Sequence, residues 1–324
     1  MIAELPEILN RWVTADRFAV ISDEIVYETH GRSVARALDA VGFVFPRGER
    51  HKSRNTWSKL TDELLESGYD RQSCIVAVGG GVTGDVAGFV AATFMRGIAV
   101  VHVPTTLLSM VDASVGGKTG VDTPAGKNLV GAFHQPQAVI CDVALLETLS
   151  EDELRNGLVE AIKHAAIADD AYATVIERRD LVPLVEGSVR IKAAIVTADE
   201  LDSGRRAILN FGHTIGHALE RMSDFELSHG SAVALGMVVE ASLGEALGIT
   251  ESGTELRLRE LLHDIGAPLD QPSAASGESL LEAMRTDKKS RSRAIRFALL
   301  QRFGKAAGRP DNWTFEAPSD DIIR

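Results

Sequence analysis

The chain has 324 residues, which is long for a single hydrophobic core and sufficient for two domains. Its 46 acidic and 34 basic residues give a formal net charge of −12, which does not suit binding to the phosphate backbone of a nucleic acid. An anionic small molecule would therefore have to be held by lysines and arginines that are gathered locally.

The first half of the chain alternates short apolar runs with amphipathic helical patterns. Nearly continuous apolar runs are typical of strands in a parallel sheet that is covered on both faces. We predict such strands over residues 18–22, 74–78, 100–104 and 138–141, with helices over residues 31–41 and 55–67. The alternation predicts an α/β nucleotide-binding domain, Rossmann-like and mainly parallel, over residues 1–152.

Helical patterns dominate the second half. Ser150 and Glu153 form the capping-box pattern S-x-x-E, which predicts the start of a helix that continues to about residue 168. We therefore expect a mainly α-helical domain over residues 153–324. Its further helices are predicted over residues 184–199, 209–222, 231–247 and 254–265, and its one strand over residues 295–300.

Two features bear on location and redox state. The N-terminal segment carries charges where a signal peptide would be apolar, and no apolar run approaches the ~20 residues that span a bilayer. The 2 cysteines do not form a disulfide framework or a cysteine-based metal motif. We expect a cytoplasmic protein.

A glycine-rich loop follows the second predicted strand. Gly79, Gly81 and Gly84 fit the pattern G-x-G-x-x-G between a strand and a helix, where backbone N–H groups can face a pyrophosphate; a tight structural turn is the alternative. The acidic residue that a Rossmann site places about 20 positions later is missing. Asp23, directly after the first strand, is the acid that would hold a ribose.

A second glycine segment contains Gly117, Lys118 and Thr119. It is not a P-loop, because that motif requires a glycine four positions before its final Gly-Lys pair, and Ala113 stands there. Lys118 and Lys127 flank a loop of small residues and suit an anionic ligand, although solvated surface lysines remain the alternative.

Histidines and one glutamate indicate a metal centre. His213 and His217 stand at i and i+4 on one predicted helix face, and His229 follows in the next loop. Glu160 lies on an earlier predicted helix and shares its face with Lys163. Two or three histidines with a glutamate and no cysteine are typical of zinc in an open catalytic site. Further cations, which would together indicate a substrate with several anionic groups, are Lys192, Arg206 and Lys288.

Together these segments resemble the 3-dehydroquinate synthase family of sugar-phosphate cyclases. The resemblance runs in the family's order from about residue 23 to residue 304. It implies a nucleotide-binding α/β domain, a helical domain, an active site in the cleft between them, and a homodimer. The matching stretches are GGGVTGDVAGFVAATFMRG, VPTTLLSMVDASVGGKTGVDTPAGKNLVGAFHQP, GLVEAIK, LNFGHTIGHALE, HGSAVALGM and DKK.

The resemblance also implies a reaction. The family converts 3-deoxy-D-arabino-heptulosonate 7-phosphate to 3-dehydroquinate and phosphate, a carbon–oxygen lyase step of the shikimate pathway to aromatic amino acids. NAD transiently oxidises the substrate, phosphate is eliminated, the hydride returns, and an aldol closure forms the ring. The implied cofactors are NAD and Zn²⁺, with Co²⁺ as an alternative metal.

Residues carry over from the family to this sequence. The implied metal ligands are Glu160, His213 and His229, so that His217 contacts substrate instead of metal. The implied NAD contacts are Asp23, Glu49, Lys52, Gly81, Val82, Thr83, Gly84, Asp85, Thr105, Thr106, Lys118, Lys127 and Thr148. The implied catalytic and substrate contacts are Arg96 (reaching across a dimer interface), Asp112, Lys118, Asn128, Lys163, Lys192, Arg206, Asn210, His217 and Lys288.

The sequence departs from the family pattern at three positions and leaves alternatives open. Ser231, Val159 and Arg47 replace residue types that are usual there. A polyol or glycerol-phosphate dehydrogenase would consume NAD and would not need so many cations. Cyclases of the 2-deoxy-scyllo-inosose and valiolone types generally alter the carboxylate-facing cations. An aminodehydroquinate synthase or a non-enzymatic NAD-binding regulator also stays open.

Overall fold

A computed structural model describes residues 4–223, 226–270, 277–287, 295–310 and 312–317. The chain divides into two compact units, Met1–Ser150 (unit 1) and Glu151–Arg324 (unit 2). The sequence predicted two domains, over residues 1–152 and 153–324. That each of them folds independently stays a prediction. Of the expected site residues, Lys288 lies outside the described residues.

A parallel sheet forms the centre of unit 1. Its strands are β1 (Arg17–Asp23), β2 (Val41–Phe45), β3 (Ser73–Gly79), β4 (Ala99–Pro104) and β7 (Ala138–Val139). They lie in the order β2-β1-β3-β4-β7, and each neighbouring pair is parallel. Every residue of β3 is buried, which is the reason for its continuous apolar sequence. The predicted α/β fold class with a mainly parallel sheet is confirmed.

Helices surround this sheet, and their apolar residues complete its core. Ile21 of β1, Ile75 of β3, Leu60 and Val90 belong to one buried cluster. The helices are α1 (Leu5–Trp12), α2 (Glu24–Val26), α3 (Arg32–Ala37), α4 (Arg54–Glu66) and α5 (Gly81–Thr93). Shorter helical turns are Tyr27–Gly31, Glu49–His51, Phe94–Arg96, Ser109–Ala113 and Val143–Thr148.

The prediction of a helix over residues 31–41 is wrong at both ends. Helical structure begins at Glu24, because the Asp23 carboxylate accepts hydrogen bonds from the backbone N–H groups of Ile25 and Val26. It ends at Ala37, two residues before Asp39 takes a left-handed conformation with φ 49°, and β2 follows.

The loop of small residues expected between Lys118 and Lys127 is an antiparallel hairpin. Its strands are β5 (Lys118–Thr123) and β6 (Gly126–Phe133). Strand periodicity was missed because glycines and polar residues replace the alternating apolar pattern. The hairpin has an irregular register near its turn, between Val121 and Thr123.

Unit 2 is mainly helical, as predicted. The helix His229–Ala246 is mostly buried and packs against the helices Glu151–Ala168, His213–Met222 and Thr254–Asp264. A buried apolar cluster includes Ile215, Leu235, Leu281 and Phe297. The helices are α6 (Glu151–Ala168), α7 (Tyr172–Arg178), α8 (Leu181–Ala198), α9 (His213–Met222), α10 (His229–Ala246), α11 (Thr254–Asp264) and α12 (Gly277–Asp287).

Two predicted elements of unit 2 are divided. The helix expected over residues 209–222 is a short helical turn, Arg205–Asn210, followed by α9; Gly212, with φ 81°, separates them. The strand expected over residues 295–300 is two short strands, because each part pairs with a different partner. These antiparallel pairs join β8 (Arg296–Phe297) with β11 (Phe315–Glu316), and β9 (Leu300–Arg302) with β10 (Lys305–Ala306). Among the described helices, none has the length and apolar character required to cross a membrane.

Candidate metal centre and nucleotide-binding loop

Three helices of unit 2 each contribute one residue to a compact group of metal-binding side chains. Glu160 lies within α6, whereas His213 and His229 are the first residues of α9 and α10. Glu160 Oε1 is 3.5 Å from His213 Nε2 and 3.4 Å from His229 Nε2. Ligands about 2.1 Å from a tetrahedral ion lie about 3.4 Å apart, so this donor set fits one zinc-type ion.

Burial determines the electrostatics of this group. Glu160 is fully buried and its second oxygen contacts the ammonium group of Lys163, one helical turn later on α6. A carboxylate in such a place requires compensating positive charge. Burial and the charge of Lys163 lower the pKa of His213 to about 3, so this ring is neutral and able to bind metal.

His229 lies between two carboxylates. Its Nε2 faces Glu160, and its Nδ1 is 3.5 Å from Oε1 of the buried Glu220. Burial by itself lowers the pKa of His229, but the hydrogen bonds and charges of Glu160 and Glu220 outweigh it and raise that pKa to about 10. At this pKa the ring carries both protons, and metal binding at Nε2 would release one of them. Glu220 would then hold the remaining Nδ1 proton, which fixes the tautomer and orientation of a ligand histidine.

His217 lies beside the three-residue group. Its ring centroid is 5.3 Å from that of His213 and 6.3 Å from that of His229. A second set of nearby donor atoms consists of His217, Glu220 and His229. The sequence had not singled out Glu220, although His213, His217 and Glu220 follow a spacing of i, i+4 and i+7 on one helix face.

Side chains from α6 also hold the first turn of α10. Asn156, one turn before Glu160, has an Oδ1 that accepts hydrogen bonds from Gly230 N at 3.2 Å and Ser228 Oγ at 3.0 Å. Ser228 caps α10 and accepts a hydrogen bond from Ser231 N at 3.3 Å. The serine that departs from the family pattern therefore takes part in the cap next to His229.

Cations of unit 2 are buried near α6. Lys163, Lys192 and Arg206 are all buried, and α8 and the turn Arg205–Asn210 pack against α6. Asp199 fixes the loop before this turn by accepting hydrogen bonds from Arg206 N and from the N–H groups of residues 203 and 204. Three buried cations in an acidic chain favour an anionic ligand. Asn210 is exposed at the end of the turn.

The glycine loop of unit 1 joins β3 to α5 at the carboxyl edge of the sheet, as predicted. Gly80 is the N-cap residue of α5, and Thr105 N donates a hydrogen bond of 3.0 Å to Gly79 O. Asp23, the glycine loop and Thr105 all follow carboxyl ends of parallel strands, which is where open α/β sheets bind nucleotides. The candidate NAD residues of this edge are Asp23, Gly81, Val82, Thr83, Gly84, Asp85, Thr105 and Thr106.

The hairpin and the turn Glu49–His51 add a polar network to unit 1. Lys52 Nζ is 2.5 Å from Asp85 Oδ2 and donates a hydrogen bond of 2.5 Å to Asn128 Oδ1. Burial lowers the pKa of Lys52, but Asp85, Glu49 and Asp122 together raise it. A residue expected to contact substrate, Asn128, is therefore hydrogen-bonded to a residue expected to contact NAD, Lys52.

The remaining candidates of unit 1 lie in the hairpin, the helical turns or the bend after α5. Lys127 forms an ion pair with Glu49 at 3.6 Å, and Lys118 is exposed at the start of β5. Thr148 Oγ1 is 3.1 Å from His30 Nε2, and Asp112 lies in the turn Ser109–Ala113.

Arg96 is separated from the glycine loop by the length of α5. It follows α5, whose 13 residues place its C-terminal end roughly 20 Å from the glycine loop. Met95 and Arg96 have φ values of 51° and 69°, followed by Gly97 with φ 117°. This left-handed turn leaves Arg96 exposed.

Comparisons with known proteins cover both units. Residues 42–156 match the family model for the 3-dehydroquinate synthase N-terminal region, and residues 157–290 match the model for its C-terminal region. The 3-dehydroquinate synthase of Pelobacter propionicus is 46% identical over 297 residues, covering 87% of this chain and 82% of that protein. Pentafunctional AROM polypeptide 2 of Lodderomyces elongisporus is 45% identical over 295 residues, covering 81% of this chain but only 19% of that much longer polypeptide.

Solved structures share the complete fold. A 2-deoxy-scyllo-inosose synthase complexed with carbaglucose-6-phosphate, NAD⁺ and Co²⁺ has a TM-score of 0.92 at 27% identity, covering 99% of this chain and 93% of that one. The 2-epi-5-epi-valiolone synthase of Streptomyces hygroscopicus subsp. jinggangensis, with NAD⁺ and Zn²⁺ bound, has a TM-score of 0.84 at 25% identity, covering 99% and 92%.

We expect the substitution Glu220→Gln to weaken zinc binding about 10- to 100-fold, because the amide holds the His229 ring less firmly than the carboxylate does. Competition with a chromophoric chelator would measure the dissociation constant. Glu226→Gln is the matched control, since it removes one negative charge from an exposed residue a short distance later in the chain. Equal zinc affinity in both variants would contradict the orienting role of Glu220.

Proposed function

Because the chain belongs to the 3-dehydroquinate synthase family, we propose that it converts 3-deoxy-D-arabino-heptulosonate 7-phosphate to 3-dehydroquinate and phosphate. The reaction is a carbon–oxygen lyase step of the shikimate pathway. In this proposal NAD and one divalent metal ion are cofactors that are not consumed. A cytoplasmic location and a homodimer are parts of the same proposal.

The observation that carries the proposal is the group formed by the buried Glu160 and the partly buried His213 and His229, with Lys163 in contact with Glu160. It combines an open, cysteine-free donor set with a buried cation. Lys192 and Arg206 lie on elements that pack against the same helix, α6. Several cations suit a substrate with both a phosphate and a carboxylate, and a metal ion suits a hydroxyl that is to be oxidised.

Glu160, His213 and His229 would hold the metal ion. When bound, zinc supplies a Lewis acid that polarises a substrate hydroxyl oxygen and lowers its pKa. Two neighbouring residues prepare the ligands: Lys163 balances the charge of Glu160, and Glu220 orients His229. The half-buried His217 lies beside them and is the residue we assign to a substrate hydroxyl.

The carboxyl edge of the sheet in unit 1 would hold NAD. When bound, NAD supplies a hydride acceptor that can return the hydride within one turnover. The N-terminus of α5 offers backbone N–H groups to the pyrophosphate, and we assign the Asp23 carboxylate to a ribose hydroxyl. The remaining NAD residues of the proposal are Glu49, Lys52, Lys127 and Thr148.

Substrate binding is assigned to charged and amide side chains of both units. Lys118, Asn128 and Lys163 would bind the phosphate, while Lys192 and Arg206 would bind the carboxylate end. The buried cations Lys163, Lys192 and Arg206 are held in place by their surroundings, so they would stabilise developing negative charge with little rearrangement. The assigned set is completed by Arg96, Asp112, Asn210, His217 and Lys288.

The direct test is phosphate release from 3-deoxy-D-arabino-heptulosonate 7-phosphate with zinc and a limiting amount of NAD. We expect phosphate and 3-dehydroquinate, identified by mass spectrometry and NMR, in large molar excess over the NAD supplied. NAD consumed in proportion to product would instead indicate a dehydrogenase. Release of phosphate only from other sugar phosphates would move the chain to another cyclase activity.

Two variants test the metal assignment within the same assay. We expect Glu160→Gln and His213→Ala to lose zinc binding and phosphate release while NAD binding, measured by calorimetry, is retained. His263→Ala is the matched control, because His263 is an exposed histidine on α11. Full activity with stoichiometric zinc in either Glu160→Gln or His213→Ala would contradict the assignment.

The homodimer and the role of Arg96 can be tested together. We propose that Arg96 serves the active site of a second copy, because it lies at the far end of α5 from the glycine loop. Arg96→Ala and His213→Ala chains should each be inactive alone. After subunit exchange in equal amounts, half of the dimers are mixed and each has one intact site, so about a quarter of wild-type activity should return. No recovery, or full activity of Arg96→Ala alone, would contradict this role.

A further inference from the structure

We propose that Glu240 is a positioning residue for the metal centre, acting by fixing the first turn of α9. It lies on α10 and is not one of the three residues assigned to the metal. The inference rests on the proposed function only in requiring a metal ion at Glu160, His213 and His229. Neither the family resemblance nor the sequence patterns had singled out this residue.

The hydrogen bonds of Glu240 bracket His213. Its Oε2 accepts a hydrogen bond of 2.7 Å from Gly212 N, and its Oε1 accepts one of 3.2 Å from Ile215 N. Gly212 is the N-cap residue of α9, and Ile215 is the third residue of that helix. Both carboxylate oxygens therefore bind backbone amides on either side of the first residue of α9, which is His213.

Glu240 is an unusual residue for its surroundings. It is fully buried, in a helix whose other inward residues are apolar or small. A buried carboxylate is unfavourable unless charge and hydrogen bonds compensate it. The N-terminus of α9 provides both, through its free N–H groups and the positive end of the helix dipole. An apolar side chain could fill the same space, but the N–H groups of Gly212 and Ile215 would lose this hydrogen-bond acceptor.

The backbones of α9 and α10 meet directly beside this carboxylate. Gly212 has φ 81°, and a Cβ atom added to Gly236 would overlap the carbonyl oxygen of Gly212. Glu240 stands one helical turn after Gly236 on the same helix. The glycine contact sets the distance between the two helices, and the carboxylate sets the rotation of α9 about its own axis.

This rotation decides whether His213 reaches the metal. Each residue of an α-helix advances the side-chain direction by about 100°, so a small slip of the first turn would carry the imidazole away from Glu160. His213 Nε2 is 3.5 Å from Glu160 Oε1, which leaves little tolerance. The first residue of a helix is also the one most affected when the cap is lost.

Glu245 on α10 provides a matched control. Its Oε1 accepts a hydrogen bond of 2.8 Å from Glu255 N, in the first turn of α11. It therefore performs the same capping chemistry from the same helix, but α11 contributes no residue to the metal group. If Glu240 only stabilised the fold, Glu240→Gln and Glu245→Gln would have the same effect on metal affinity.

The experiment compares metal binding by wild-type protein, Glu240→Gln and Glu245→Gln. Glutamine is nearly the same size, but its NH2 group replaces one carboxylate oxygen and would face one of the two backbone N–H groups, donor against donor. We expect Glu240→Gln to bind Zn²⁺ and Co²⁺ about 10- to 100-fold more weakly in chelator competition. Its Co²⁺ absorption bands should shift, because the ligand geometry changes. Glu245→Gln should match the wild type in affinity and spectrum, even where its thermal midpoint falls.

Each outcome bears on the proposal. Wild-type affinity and an unchanged Co²⁺ spectrum in Glu240→Gln would overturn it, while leaving the metal centre intact. No metal binding by the wild type would overturn the metal centre and this inference together. If Glu240→Gln does not fold, Glu240→Asp decides, because aspartate keeps the negative charge but shortens the side chain by one methylene group. We then expect weaker Zn²⁺ binding and shifted Co²⁺ bands, and wild-type values for both would overturn the proposal.

Discussion

A carboxylate that is fully removed from water constrains the rest of the helical unit. Glu160 occupies such a position on α6, where an uncompensated charge would be strongly unfavourable. Lys163 and the imidazoles of His213 and His229 surround it. The helices that carry these rings must therefore begin where their first residues face α6. A metal ion would satisfy the same requirement more completely, because it brings two positive charges to one point.

Contacts between helix ends meet this requirement. Asn156 of α6 binds the first turn of α10, and Glu240 of α10 binds the first turn of α9. Each of the three helices with a candidate metal-binding residue is thus linked to another of them by side-chain hydrogen bonds. Such links place a site more precisely than apolar packing alone, which tolerates small rotations. The geometry of the candidate metal centre therefore depends on helix capping as much as on the apolar core.

The sequence predicted part of this arrangement for identifiable reasons. Strands β1, β3 and β4 were predicted because buried parallel strands are continuously apolar, whereas β2 was missed because Val41 is exposed and Gly42 interrupts the run. Spacing placed His213 and His217 on one face but could not decide which of them meets Glu160, since that depends on how separate helices pack. Glu240 could have been noticed as a charged residue within a run of apolar and small residues. Its partners, however, are backbone amides of another helix, which no periodicity reveals.

The most direct test of the metal centre is the zinc-edge X-ray absorption spectrum of the zinc-loaded protein. Two imidazole nitrogens and one carboxylate oxygen are expected at about 2.0–2.2 Å, with oxygen from solvent or substrate completing the shell and no sulfur. In His229→Ala, the imidazole contribution should fall to one ring. Sulfur ligands, or a spectrum unchanged by His229→Ala, would contradict the assignment of the ligands to Glu160, His213 and His229.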